Sequence, residues 1–122
     1  MTLHLLDPLL QPFRLKNVTL RNRVVCTSHE PSYTEDGMPK RRYRLYHEEK
    51  AKGGVGLTMM GGSAVVAPDS PAAFGNLHVY KDEIVPWLRE LAYGCTKTAP
   101  RSCARSPISV AARATTTGIG CR

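Results

Sequence analysis

The stretch 55–60, Val-Gly-Leu-Thr-Met-Met, constrains this chain more than any other. It carries no charge over six residues and lies between Gly53-Gly54 and Gly61-Gly62. Such a run suits a strand buried on both faces, the situation of a strand in a parallel sheet covered by helices. The residues before it predict a helix over 40–52, opened by Pro39 and stopped by Gly53-Gly54. Its inner face is expected to comprise Tyr43, Leu45, Tyr46 and Ala51.

Other elements alternate with these. The apolar-alternating runs 13–15 and 18–20 flank Lys16-Asn17 and read as a small hairpin. Val24-Val25-Cys26 is a β-branched run suited to a buried strand. Residues 27–39 are polar, with turn chemistry at Glu35-Asp36-Gly37. Residues 63–80 read as a long loop with little periodicity. Asp82 is placed to cap a second helix, in which Ile84, Leu88 and Leu91 share one face and Pro86 falls in the first turn. The order hairpin, strand, helix, strand, helix predicts an α/β chain of βα units on a parallel sheet.

At 122 residues the chain has room for one small domain with a single core. Its net charge of +7 points to a polyanionic partner until the placement of that charge is considered. All 10 Asp/Glu precede residue 93, whereas five of the 17 Lys/Arg (Lys97, Arg101, Arg105, Arg113 and Arg122) follow it. The excess thus sits in the tail, and no basic stripe crosses the first ninety residues. Lys40-Arg41-Arg42-Tyr43-Arg44 reads better as a solvated helix face, balanced a turn later by Glu48 and Glu49, than as a nucleic-acid patch. Glu35 and Asp36 read better as a turn than as a catalytic carboxylate pair.

Cys95, Cys103 and Cys121 also fall in the tail, Cys26 stands alone, and no pair has the spacing of a zinc knuckle or redox motif. The apolar opening Met1-Thr2-Leu3-His4-Leu5-Leu6 is interrupted by Asp7-Pro8 and followed by no cleavage site. No run reaches the length of a bilayer span. The expectation is a reduced, cytoplasmic protein with neither a membrane nor a nucleic-acid partner.

Several motifs together resemble a known family. Pro12-Phe13-Arg14-Leu15-Lys16-Asn17, followed by Leu20-Arg21-Asn22-Arg23-Val24-Val25, is similar to the N-terminal hairpin and first barrel strand of Old Yellow Enzyme-type flavoproteins. Lys50-Ala51-Lys52-Gly53-Gly54-Val55-Gly56-Leu57 is similar to their first barrel helix running into strand two. Thr27-Ser28-His29-Glu30-Pro31 and Glu35-Asp36-Gly37-Met38-Pro39 most resemble one branch of that class. It contains dimethylamine and trimethylamine dehydrogenases, dienoyl-CoA reductases and N-methylproline demethylases. The resemblance covers about residues 9–92.

The resemblance implies a TIM (β/α)8 barrel, which takes roughly 250 residues to close. This chain would then supply a partial barrel over residues 1–92, the N-terminal hairpin and the first two βα units. The resemblance also implies FMN at the C-terminal mouth of the strands, NAD(P)H as a possible reductant and a small-molecule substrate. Carried over by position, Thr27, Ser28 and His29 at the end of strand one touch the flavin. Gly61 and Gly62 at the end of strand two let its ring approach the backbone. In the amine dehydrogenases a cysteine after the matching histidine carries a covalent flavin. Glu30 stands in that place here, so the FMN is expected to be non-covalent. No catalytic residue of the family and no metal site has a counterpart, and the iron–sulfur cluster and second dinucleotide domain of the amine-dehydrogenase branch are expected to be absent. Both groups of residues also have plain readings: His29 as a hydrogen-bonded strand-end histidine, and Gly61-Gly62 as a strand-ending turn.

Residues 93–122 read differently, being rich in Ala, Thr, Ser, Arg and Gly with no helical stripe. The family would show His-x-x-Gly-Ala and then Gln-Leu-x-His-x-Gly-Arg here. A one-base shift of reading frame from Gly94 onward admits a string ending Thr-His-Leu-Gly-Arg-Arg-Thr-Gly, although two bases of every shifted codon are fixed. The expectation is therefore a slip near residues 92–95 and an out-of-frame, disordered tail. Such a product would neither bind FMN tightly nor turn over, and its open strand edges would favour aggregation. The alternative from another class is a small basic protein that uses its tail on nucleic acid or an acidic partner. It predicts salt-sensitive binding that is lost when residues 93–122 are removed.

Overall fold

The computed structural model describes residues 7–98 and 108–110. The chain enters through a 3-10 turn at Pro8–Leu10, with the Leu9 N–H donating to Asp7 Oδ1 at 2.9 Å. The hairpin follows as β1 (Phe13–Leu15) and β2 (Val18–Leu20), antiparallel with Phe13 opposite Leu20, as the alternating runs predict. Strand β3 (Val25–His29) leads to helix α1 (Arg41–Lys52) and strand β4 (Leu57–Met60). A short parallel pair, β5 (Ala64–Val65) and β6 (Leu77–His78), precedes helix α2 (Ile84–Thr98) and strand β7 (Ile108–Val110). Strands β3, β4 and β7 form one parallel sheet in that order, so the α/β class with βα units holds.

Helix α1 packs on β4 and against α2. Its inner face is Tyr43, His47 and Ala51, all fully buried at i, i+4 and i+8. This corrects the expected face in two places. Leu45 is 37% exposed, because it lies two residues from Tyr43 and so points away from the seam. His47, passed over because it is polar, occupies the central buried position. Tyr46 is half-buried, edge-on to Tyr33 and covered by the Lys50 ammonium.

Three other expectations are revised. Val24 and Val25 are exposed, so their β-branched character specified a strand but not what covers it. The long loop is anchored by β5 and β6, whose buried Ala64, Val65 and Leu77 join parts of the chain that no local period connects. Helix α2 runs to Thr98 instead of fading near Ala92, because Cys95 continues the Leu88–Leu91 face and is fully buried. Its entry is a turn in which the Asp82 backbone carbonyl accepts from the Val85 N–H. The rest of the expected tail, apart from β7, lies outside the described residues.

The hairpin is tied to the sheet by two buried polar residues. Arg21 donates from Nη2 to the Ala51 carbonyl at 2.9 Å and from Nε to the Val55 carbonyl at 3.1 Å, neutralising the negative end of α1. Asn22 donates to the Gly54 carbonyl at 2.7 Å and accepts from the Val24 N–H at 3.1 Å. Gly56 fits against this clamp: a Cβ there would lie 2.5 Å from the Asn22 carbonyl oxygen. Among the described residues no helix is long and apolar enough to cross a membrane.

Candidate functional site

Because β3 and β4 run parallel, their C-terminal ends lie side by side, with His29 opposite Met60. Cys26 pairs with Thr58, so three steps along β3 match two along β4. That register shift is a β-bulge at the strand end, a device common beside binding sites because it re-aims side chains. Thr27 and His29 are exposed and Ser28 is half-buried. The five predicted site residues are thus brought to one rim, but in unequal settings.

Gly61 is buried, with φ at +57° and its N–H donating to Tyr43 Oη at 2.9 Å. Its glycine is explained by a left-handed turn off the strand. Gly62 is the exposed member of the pair, and a Cβ built there would touch Glu30 at 3.7–3.8 Å. The rim therefore runs from His29 at the end of β3, with Glu30 just beyond it, to Gly61-Gly62 just after β4.

Glu30 is half-buried, and Tyr43 and His47 behind the rim are fully buried. Burial holds the Glu30 carboxyl above the usual carboxylate range, against the opposing pull of the Ser32 N–H and the His29 charge. One Glu30 oxygen accepts from Ser32 N–H at 3.0 Å, and the other is buried without a hydrogen-bond partner. Burial, with Glu30 adding to it, also raises the Tyr43 phenol, which stays neutral. His47 Nδ1 lies 2.9 Å from Thr58 Oγ1, and burial followed by the Lys50 charge pushes its pKa down to about 4.

Two loops frame the rim. After β3, Glu35-Asp36-Gly37-Met38 closes a reciprocal backbone turn with φ +55° at Asp36 and +77° at Gly37, the type I′ geometry that Asp-Gly favours. This supports the turn reading of Glu35 and Asp36, and Asp36 also pairs with Lys40 at 2.9 Å. After β4, the loop is held to the first by Ser32 Oγ and Thr34 Oγ1, which donate to the Phe74 and Gly75 carbonyls. Ser32 and Phe74 both have positive φ, and Phe74 is 83% exposed. In the basic run, Tyr43 is buried, Arg42 covers the Tyr33 ring at 4.0 Å, and Arg44 pairs with Glu48 and Glu90. Among the described residues no cluster of three His, Cys, Asp or Glu could hold a metal ion.

Residues 8–98 match the family model of the NADH:flavin oxidoreductase / NADH oxidase family. The chain belongs to this family. It is 64% identical over 85 residues to a protein named as a probable N-methylproline demethylase from Rhizobium meliloti, covering 70% of this chain and 12% of that one. It is 52% identical over 86 residues to a multifunctional alkene reductase/demethylase from Caballeronia cordobensis, covering 70% and 13%. The chain thus spans about an eighth of the length of these curated relatives. Among solved structures, it superposes on morphinone reductase with a TM-score of 0.69 at 20% identity, covering 84% of this chain and 25% of that one. On the old yellow enzyme from Trypanosoma cruzi the TM-score is 0.66 at 19% identity, covering 84% and 26%. These structural likenesses show a shared fold. The family match begins near the residue the sequence motifs suggested and extends past Ala92 to the end of α2.

Along this rim Gly62 and the side chains of Thr27 and His29 are exposed. Sequence reasoning missed Tyr43 and His47 as the supports of this rim. Tyr43 was assigned only to the core, although its hydroxyl holds the turn at Gly61. His47 lies at helical spacing between Tyr43 and Ala51, a signal present in the sequence and overlooked.

Proposed function

We propose that this chain forms the first wall of a non-covalent FMN site in a TIM-barrel oxidoreductase, using NAD(P)H as reductant on a small-molecule substrate in the cytoplasm. The observation that carries this reading is the juxtaposition of His29 and Gly61-Gly62 across the ends of two parallel strands. Ligands of parallel α/β folds bind at that end. FMN, when bound, supplies hydride transfer, and the protein's part is to hold and orient it.

In this reading Thr27, Ser28 and His29 line the cofactor from strand β3, and Gly62 offers an exposed backbone. Gly61 sets the turn that brings Gly62 to the rim, with Tyr43 fixing the Gly61 N–H from behind. Glu30 stands where a covalent attachment would need a thiol, and burial holds its carboxyl protonated to higher pH than usual. The slip of reading frame near residues 92–95 belongs to the same proposal, and sequencing genomic DNA across those codons tests it.

The 122-residue chain alone is expected to take up FMN weakly and to oxidise no NAD(P)H. Weak binding is still visible by amide NMR. Titration with FMN should shift the Thr27, Ser28, His29, Gly61 and Gly62 amides together. Shifts scattered over the surface, or none at these five, would remove the assignment. A purified monomer with one tightly held flavin per chain would overturn the expectation of weak uptake.

A further inference from the structure

The two loops that frame the rim are joined to each other at three places. Ser32 Oγ donates to the Phe74 carbonyl at 2.5 Å, Thr34 Oγ1 donates to the Gly75 carbonyl, and the His78 N–H donates to the Gly37 carbonyl at 2.9 Å. The second loop is also fixed to its own start by Asn76, which is buried. Its Nδ2 donates to Ser63 Oγ at 2.5 Å, and its Oδ1 accepts from the Ala73 N–H at 2.9 Å. Phe74 thus lies between two pinned neighbours, Ala73 and Gly75. Its φ of +57° is a left-handed conformation that a bulky residue rarely adopts, and Ser32 opposite it has φ +56°. The ring gains little packing in return, since Phe74 is 83% exposed among the described residues.

Backbone strain of this kind persists only where surrounding bonds over-determine it, and it gathers at ligand clamps. The place of Phe74 in the fold points the same way. Gly62 lies against Glu30, Glu30 accepts from the Ser32 N–H, and Ser32 donates to the Phe74 carbonyl. Two hydrogen bonds therefore separate Phe74 from the rim. From the other side, Asn76 is bonded to Ser63, the residue after Gly62. We infer that Phe74 is a preorganised stacking contact for the isoalloxazine ring of FMN bound at this rim. The inference rests on the flavin reading proposed above. A phenyl ring offers only an apolar π-face and edge, which match a flat conjugated ring by offset or edge contact and not a ribityl phosphate. Because the joined loops already fix the backbone of Phe74, little conformational freedom is lost when the ligand arrives.

The test titrates the 122-residue chain and its Phe74 variants with FMN, followed by amide NMR. Phe74→Ala should weaken FMN about tenfold, and Phe74→Tyr should hold the affinity within about twofold. Ribitol 5-phosphate, which lacks the ring, should bind the parent and Phe74→Ala alike. Phe74→Gly removes the side chain from a left-handed position, so it should raise the urea midpoint while weakening FMN as Phe74→Ala does. A residue kept for stability alone would not show that opposition. Three results overturn the inference: equal FMN affinity of the parent and Phe74→Ala, an equal loss of ribitol 5-phosphate, or a lower urea midpoint for Phe74→Gly. If FMN shifts the five rim amides but Phe74→Ala changes nothing, the stacking contact falls and the proposed function stands. If FMN shifts Phe74 and Gly75 and Phe74→Ala weakens it, but the rim amides stay still, the ring contact stands and the proposed function falls. No FMN-induced shift anywhere overturns both.

Discussion

The two sides of the β3-β4 layer have similar sequence character and opposite fates. On the helix side, Tyr43, His47, Ala51 and Thr58 are fully buried and the polar atoms among them are mostly paired. On the other side, Phe13, Leu15 and Val25 are apolar and exposed. The hydrophobic effect fixes how much apolar surface a sequence can bury, and topology decides which part is buried within one chain. The packed side holds the rim residues in place, whereas on the open side the apolar side chains of β1 and Val25 stay exposed among the described residues.

Substitutions separate the two sides by the size of their effect. Tyr43→Ala, on the packed side, removes a buried ring and the acceptor for the Gly61 N–H. It should cost roughly 3–5 kcal/mol in urea denaturation. Gly56→Ala drives a Cβ against the Asn22 carbonyl backbone and should cost about 1–3 kcal/mol by the same measurement. On the open side, Leu15→Lys should change the stability of the chain by less than about 0.5 kcal/mol. A large loss from Leu15→Lys would mean that the open side is already packed.

Acid sharpens the same contrast. The folded pKa of His47, about 4, lies below its ordinary value of 6.5. Above about 6.5 neither the folded nor the unfolded chain protonates it, and the stability is full. Between 6.5 and 4 the unfolded chain takes the proton first, so stability falls as the pH falls through that window. Glu30, raised above 4.5, contributes the opposite slope at the lower end of that range. The comparison is therefore made between the parent and His47→Gln, whose urea midpoint should vary less with pH from 6.5 to 4. Equal pH profiles would place His47 in contact with water.

Where local pattern decides structure, the sequence was legible. The hairpin bounds follow from alternation around a two-residue turn, and β4 from a charge-free run between glycine pairs. The end of α1 follows from Gly53. The exposure of Val24 and Val25 was not legible, because strand propensity is silent about what lies across the sheet. Neither was the β5–β6 pairing, which joins residues 13 apart through two positions each. Cys95 did carry a signal, at four residues from Leu91, but the composition around it obscured the continuing helical face. At the site, the glycines and the strand-end residues were visible as types. The hydrogen bond from Gly61 to Tyr43, 18 residues away, required the fold.

The most direct test of a chain folded on one side and open on the other is amide hydrogen exchange of the 122-residue protein. The account expects protected amides along α1 and β4 and fast exchange through the β1–β2 hairpin and the free edge of β3. Fast exchange everywhere would show that the packed side does not hold by itself. Protection along the edge of β3 equal to that of β4 would show that this edge is already paired, and the account of an open wall would be wrong.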